Sequence, residues 1–162
     1  MSKPNYRREV GKELFYYFQR DEELCLLVCD MGFGVIEEIK RNFPQRVINT
    51  GVMEQATVGI SAGLAMAGLK PVVYSIVNFL VFRALEQIRN DVVLQDLEVK
   101  FIATGVNNYF SFLGASHCCG EDDKIIMELI GMKVFDPYRE RKPFSEVVRE
   151  WIDYKGCAYI RV

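Results

Sequence analysis

One carboxylate, Glu54, stands where this chain could do chemistry. It follows a strand and a turn at the mouth of a helix, in the stretch INTGVMEQATVGISAGLAMAG (48–68), whose following turns are almost entirely small or aliphatic. A lone Glu in a first helical turn gains ~0.3–1 kcal/mol from the helix dipole, so position alone assigns it no role. His117 is the sole histidine and falls in a long irregular connection. An imidazole with an unperturbed pKa near ~6.5 suits proton handling; a solvated loop histidine is the other reading. Cys118 and Cys119 follow it directly, yet three consecutive ligands cannot splay around a tetrahedral ion as spaced Cys-x-x-Cys pairs do. No metal site is expected there. Asp30 closes a strand, where it either contacts a ligand or initiates a turn.

Those side chains need a scaffold, and the hydrophobic pattern supplies one. Residues 6–20 carry Val10, Leu14, Tyr17 and Phe18 at helical spacing. The apolar run 24–29 ends in the loop chemistry of Asp30-Met31-Gly32-Phe33-Gly34. A short helix over 35–42 and a strand over 46–49 lead to the helix 54–69, which Lys70-Pro71 stops. Strand 72–77, helix 80–91 and strand 99–104 follow. The connection 107–120 is the longest in the chain, and loops of that length in compact domains are usually functional or disordered. Helix 121–130, strand 132–135, helix 144–153 and strand 158–162 complete the alternation.

Alternating strands and helices predict an α/β doubly wound, mostly parallel sheet of about six strands with helices on both faces. Ligands of such sheets sit at the carboxyl ends of the strands, and Asp30, Glu54 and the 107–117 loop all follow strands. Gly59, Gly63 and Gly68 each cost a helix ~1 kcal/mol relative to alanine. They predict a close neighbour, either backbone or a flat ligand. The acidic run Glu121-Asp122-Asp123 reads as a helix cap.

Composition removes several functions. At 162 residues the chain is one domain's worth, long enough to bury a core without disulfides or metals. A net charge of −2 with no run of Lys and Arg argues against bulk electrostatic binding of nucleic acid. The N-terminal residues 1–15 have no continuous apolar core, so no secretory signal is read there. The apolar window 71–82, interrupted by Ser75 and Asn78, falls short of the ~20 residues that span a bilayer. Five cysteines, two of them adjacent, fit cytosolic thiols better than a disulfide framework. A soluble, cytoplasmic protein without membrane or nucleic-acid partner is expected.

Two ordered motifs carry a more specific likeness. The run from Ile48 to Val73, with its G-V-M-E-Q turn, resembles the pyrimidine-binding domain of the transketolase-like thiamine diphosphate enzymes, whose G-x-x-E-Q turn presents the cofactor-activating glutamate. Gly114-Ala115-Ser116-His117 followed by Glu121-Asp122 resembles that family's G-x-[ST]-H…E-D segment at about the expected separation. The likeness covers nearly the whole chain and implies the thiamin diphosphate-binding fold.

The resemblance also implies roles. Glu54 would hydrogen-bond the N1′ atom of the cofactor's pyrimidine, so that the cofactor's own amine can act as the base. Phe79 or Phe82 in NFLVFRALEQIRND would stack on that ring, with Arg83 at the site's edge; ordinary core packing is the alternative for both aromatics. His117 would hydrogen-bond the donor substrate or a cofactor-bound intermediate, and Asp30 would contact the cofactor or a partner chain.

Departures from the family pattern imply a partner. Its diphosphate anchor, a G-D-G…N motif that holds Mg²⁺, has no match in this sequence, and Mg²⁺ needs several hard oxygen ligands together with phosphate oxygens. A diphosphate-binding subunit would therefore share the thiamine diphosphate and hold Mg²⁺, as in a split enzyme built as a heterotetramer or homodimer of heterodimers. The family's third, C-terminal domain also has no counterpart, so residues 1–162 read as a single pyrimidine-binding domain. Sugar-using members commonly place an acid just before the glycine of the G-x-[ST]-H segment, where Leu113 stands here. Ketol transfer from an unusual sugar, 2-oxo acid decarboxylase or dehydrogenase chemistry, and a non-catalytic scaffold stay open.

Overall fold

The computed structural model describes residues 5–162, so the first four residues of the N-terminal segment lie outside it. β1 (Leu24–Val28), β4 (Lys100–Thr104) and β6 (Ala158–Arg161) are buried at every position. Such continuous runs are what a sheet covered on both faces requires. Together with β2 (Val47–Asn49), β3 (Lys70–Ile76) and β5 (Lys133–Phe135) they form one six-stranded sheet, ordered β2-β1-β3-β4-β6-β5. Every neighbouring pair is parallel, as the alternation predicts.

The helices of the described residues are α1 (Tyr6–Phe18), α2 (Glu37–Asn42), α3 (Glu54–Met66), the three-residue α4 (Leu85–Gln87), α5 (Asp122–Leu129) and α6 (Phe144–Asp153). Val10, Leu14 and Phe18 of α1, Ile39 of α2 and Val147, Val148 and Trp151 of α6 cover one face of the sheet. Val58 and Ala62 of α3, Leu80, Ile88 and Val92 of the 79–93 segment, and Met127 of α5 cover the other. β4 feeds both layers, Phe101 and Ala103 pointing one way and Ile102 the other, as strand periodicity demands. Among the described residues no helix is long and apolar enough to cross a membrane.

Two expectations need correction. The helix predicted over 80–91 is a π-helical stretch (Phe79–Arg83), the short α4 and a second π-helical stretch (Ile88–Val93). The cause is visible in the core: Leu80, Ala84, Ile88 and Val92 are all fully buried. A four-residue repeat would drift by roughly 40° per step around an α-helix of 3.6 residues per turn. The wider i→i+5 turns keep it facing inward.

The glycines of α3 are the second, for the backbone neighbour alone; the flat ligand stays open. A methyl group at Gly63 would meet no described atom within 4 Å, and one at Gly59 only an Asp91 carboxylate oxygen at 3.9 Å. The close neighbour predicted for them is not supplied by this domain. Gly68 has a local reason: at φ +90° it ends the helix, with Leu69 N donating to Leu64 O at 3.0 Å.

The strand order reverses between β1 and β3 and turns back once more at β6, beside β5. Crevices at the carboxyl ends of strands beside such reversals are where open α/β sheets take ligands. The first reversal receives the N-terminus of α3.

Candidate functional site at the carboxyl edge of the sheet

The turn between β2 and α3 is built to deliver one carboxylate. Asn49 Oδ1 accepts the N–H groups of Asp30 and Gly51, both at 3.0 Å. Thr50 Oγ1 donates to Val28 O at 3.1 Å and lies 2.7 Å from Thr57 Oγ1. These bonds tie the end of β2 to the end of β1 and fix where α3 begins. Its first residue is Glu54.

Glu54 is only 1% exposed, although it opens a helix. A buried carboxylate is tolerated only when paired and hydrogen-bonded, and both of its oxygens are. Ser75 Oγ, near the end of β3, donates to Oε1 at 3.1 Å, and Arg83 Nη1 donates to Oε2 at 2.5 Å. The Arg83 side chain is 39% exposed, so it covers the acid from the solvent side. Its Cζ lies 4.4 Å from the centroid of the Phe79 ring, a cation–π contact. Phe79 in turn meets the His117 ring edge-on, with centroids 4.9 Å apart at 77°. Four residues singled out from sequence therefore form one contiguous array: Glu54, Arg83, Phe79 and His117.

The other two do not join it. Asp30 is exposed at φ 50°, bound to Asn49, and lines a cavity of about 230 Å³ beside Met31, Phe33 and Lys40. Among the described residues no hydrogen bond links it to Glu54. Phe82 is 47% exposed and forms no aromatic pair among the described residues.

His117 owes its position to a polar framework that sequence reasoning missed. The 107–120 loop holds two short 3₁₀ turns, Ser111–Leu113 and Ala115–His117. Asn78 Nδ2 donates to Cys118 O at 2.8 Å, and Arg161 Nη2 donates to Gly120 O at 2.9 Å. Arg161 also donates from Nε and Nη2 to Asp123 at 2.8 and 3.0 Å, and from Nη1 to Asp136 at 2.6 Å. The Tyr159 hydroxyl donates to Asp123 at 2.8 Å.

The charges in this framework hold one another in place. Burial opposes the charge on Arg161, but Asp123 and Asp136 outweigh it and push its pKa above the ordinary value. Burial, reinforced by Asp123, pushes the Tyr159 hydroxyl far up and the Cys119 thiol up to about 11. Asp123 is thus a buried pairing carboxylate in the first turn of α5 rather than a helix cap. The signals were present: Arg161 in an apolar terminal strand needs a partner, and Ser75 and Asn78 interrupt a run that is otherwise core.

The α/β sheet thus buries an acid at its carboxyl edge, beneath a planar cation stacked on an aromatic ring. The chain belongs to the transketolase pyrimidine-binding domain family, whose model matches residues 2–161. It is 35% identical over 159 residues to a putative transketolase C-terminal section of Methanocaldococcus jannaschii, covering 96% of this chain and 49% of that protein. It is 28% identical over 157 residues to an apulose-4-phosphate transketolase subunit of Phocaeicola vulgatus, covering 96% of this chain and 50% of the relative. A solved structure described as a split gene transketolase, inactive beta4 tetramer, superposes with a TM-score of 0.76 at 29% identity over 96% of this chain and 50% of that one. The chain spans about half the length of these relatives.

Proposed function

We propose that this chain is the pyrimidine-binding half of a split transketolase-like enzyme that transfers a two-carbon ketol unit between carbonyl substrates. A diphosphate-binding partner would complete the site and hold Mg²⁺, in a heterotetramer or a homodimer of heterodimers. The observation that carries the reading is the pairing of Glu54 with a planar cation on the face of Phe79. The donor set and the aromatic face fit the aminopyrimidine of thiamine diphosphate, which is likewise flat and presents nitrogen donors in its plane.

When bound, thiamine diphosphate supplies a carbon nucleophile once its C2 proton has left. This chain's residues prepare that step. Glu54 holds a proton against the ring nitrogen, Ser75 fixes the carboxylate, and Phe79 sets the ring plane. His117, whose ring meets Phe79 edge-on, is the chain's one imidazole and would handle the substrate's proton transfers. Residues placed for such transfers typically contribute about 10²–10⁴-fold in rate.

Leu113 and Phe112 are 50% and 75% exposed beside His117. They offer a substrate no hydrogen-bonding group where sugar-using members commonly place an acid, which favours an unusual sugar over a standard ketose phosphate. The name of the Phocaeicola relative supports sugar chemistry. The reading is tested by co-expressing the chain with candidate diphosphate-binding subunits and assaying ketol transfer between sugars alongside CO₂ release from 2-oxo acids. Ketol transfer that depends on Glu54 is expected; CO₂ release without ketol transfer would replace this reading with the decarboxylase one.

A further inference from the structure

Arg83 occupies two positions that the proposed cofactor ring also needs. Its Nη1 is bound to Glu54 Oε2 at 2.5 Å, while its Cζ sits 4.4 Å from the Phe79 centroid. The other oxygen of Glu54 is taken by Ser75, and the residue's 1% exposure leaves the acid no open approach. A guanidinium is a flat, delocalised N–C–N cation whose N–H groups point outward in its plane. The protonated aminopyrimidine ring shares that shape, that charge and that donor edge.

We infer that Arg83 is an internal stand-in for the cofactor's pyrimidine, a latch that keeps this half-site closed until the ring displaces it. The inference rests on the assignment of Glu54 and Phe79 to the pyrimidine. Displacement is physically open to Arg83 because its side chain is already 39% exposed and ends the π-helical stretch Phe79–Arg83. It can swing into solvent without burying an unpaired charge. Glu54 cannot follow it, since the acid is locked between α3 and β3. The acid that loses Arg83 must therefore regain a donor, and the ring nitrogen is that donor. Cofactor entry is an exchange of one planar cation for another.

The test uses the full chain and the free aminopyrimidine alcohol of thiamine as probe, which carries no diphosphate and so needs no partner. Calorimetric titration of the wild type, Arg83→Ala, Glu54→Gln and the double variant reads the exchange. Arg83→Ala is expected to bind the probe at least about tenfold more tightly than the wild type, a difference of ~1.4 kcal/mol. The gain is expected to vanish in the double variant, and guanidinium at millimolar concentration is expected to compete with the probe on Arg83→Ala alone. Equal binding by wild type and Arg83→Ala, abolished by Glu54→Gln in each, would overturn the latch and leave the pyrimidine site standing. Binding that ignores both substitutions, or no binding to Arg83→Ala at all, would overturn the latch; C2-proton exchange in the assembled enzyme then decides the site separately. Should Arg83→Ala fail to fold, Arg83→Lys serves, because its ammonium keeps the charge but lacks the planar fork. An intermediate gain is expected there, and none would count against the latch.

Discussion

Asp123 and Arg161 form a bidentate ion pair beneath the loop that carries His117, Nε to Oδ2 at 2.8 Å and Nη2 to Oδ1 at 3.0 Å. Both side chains are essentially inaccessible, 0% and 1% exposed. The pair joins the first turn of α5 to the end of β6, and Arg161's further bond to Gly120 O carries that rigidity into the loop.

Removing one member of a buried pair strands the other's charge, at a typical cost of about 3–5 kcal/mol. Arg161→Met leaves Asp123 without its cation and Asp136 with only the longer contact to Arg139 Nε at 3.9 Å. Asp123→Asn leaves Arg161 still bound to Asp136. Urea unfolding is therefore expected to show a larger loss for Arg161→Met than for Asp123→Asn; the reverse order would mean that Asp136 carries little of the load.

Ser75→Ala removes one of the two donors to the Glu54 carboxylate. A hydrogen bond to a charged group contributes roughly 1.5–3 kcal/mol, so a loss of that order in unfolding free energy is expected. Ser75→Thr keeps a hydroxyl and should recover part of it. An unchanged Ser75→Ala protein would show that Arg83 alone suffices to hold the acid.

Alkaline pH should weaken the fold through its buried thiols. Burial pushes Cys25 up to about 11, and burial with Asp123 does the same to Cys119, from an ordinary value of 9.0. A folded-state pKa above the unfolded one contributes stability that is complete below the unfolded value and is lost as pH rises through the folded one. The window is therefore pH 9 to about 11. Lys100 acts oppositely: burial lowers it from 10.5 to about 8, so the fold gains from it as pH rises between those values. Comparing wild type with Cys119→Ala isolates the thiol. Urea unfolding should show the wild type losing more stability than the variant across the window, and parallel pH profiles would contradict it.

His117 and Glu54 should separate kinetically in the assembled enzyme. Substituting His117 by Ala is expected to lower ketol transfer by about 10²–10⁴-fold while leaving C2-proton exchange near the wild-type rate. Equal losses in both assays would place His117 with the cofactor rather than with the substrate.

The sheet was legible because β1, β4 and β6 are buried on both faces and so leave unbroken apolar runs. Glu54 and His117 were legible as candidates because two ordered motifs carry them, and Phe79 and Arg83 because the stretch 78–91 resembles the family's ring-stacking segment. Their mutual contacts were not, since the Arg83 pairing depends on a π-helical turn that no α-helical reading of 80–91 would place there. The Asp123–Arg161 pair spans elements distant in sequence, and an acidic run at a helix start reads locally as a cap. Gly59 and Gly63 show the converse case, since their expected neighbour is missing from this domain.

The central claim is that Glu54 activates a shared thiamine diphosphate, and exchange of the cofactor's C2 proton tests it most directly. Measured on the chain assembled with a diphosphate-binding subunit, Glu54→Gln is expected to slow exchange by at least about 10²-fold with the fold and the assembly intact. Exchange at the wild-type rate in that variant would contradict the account.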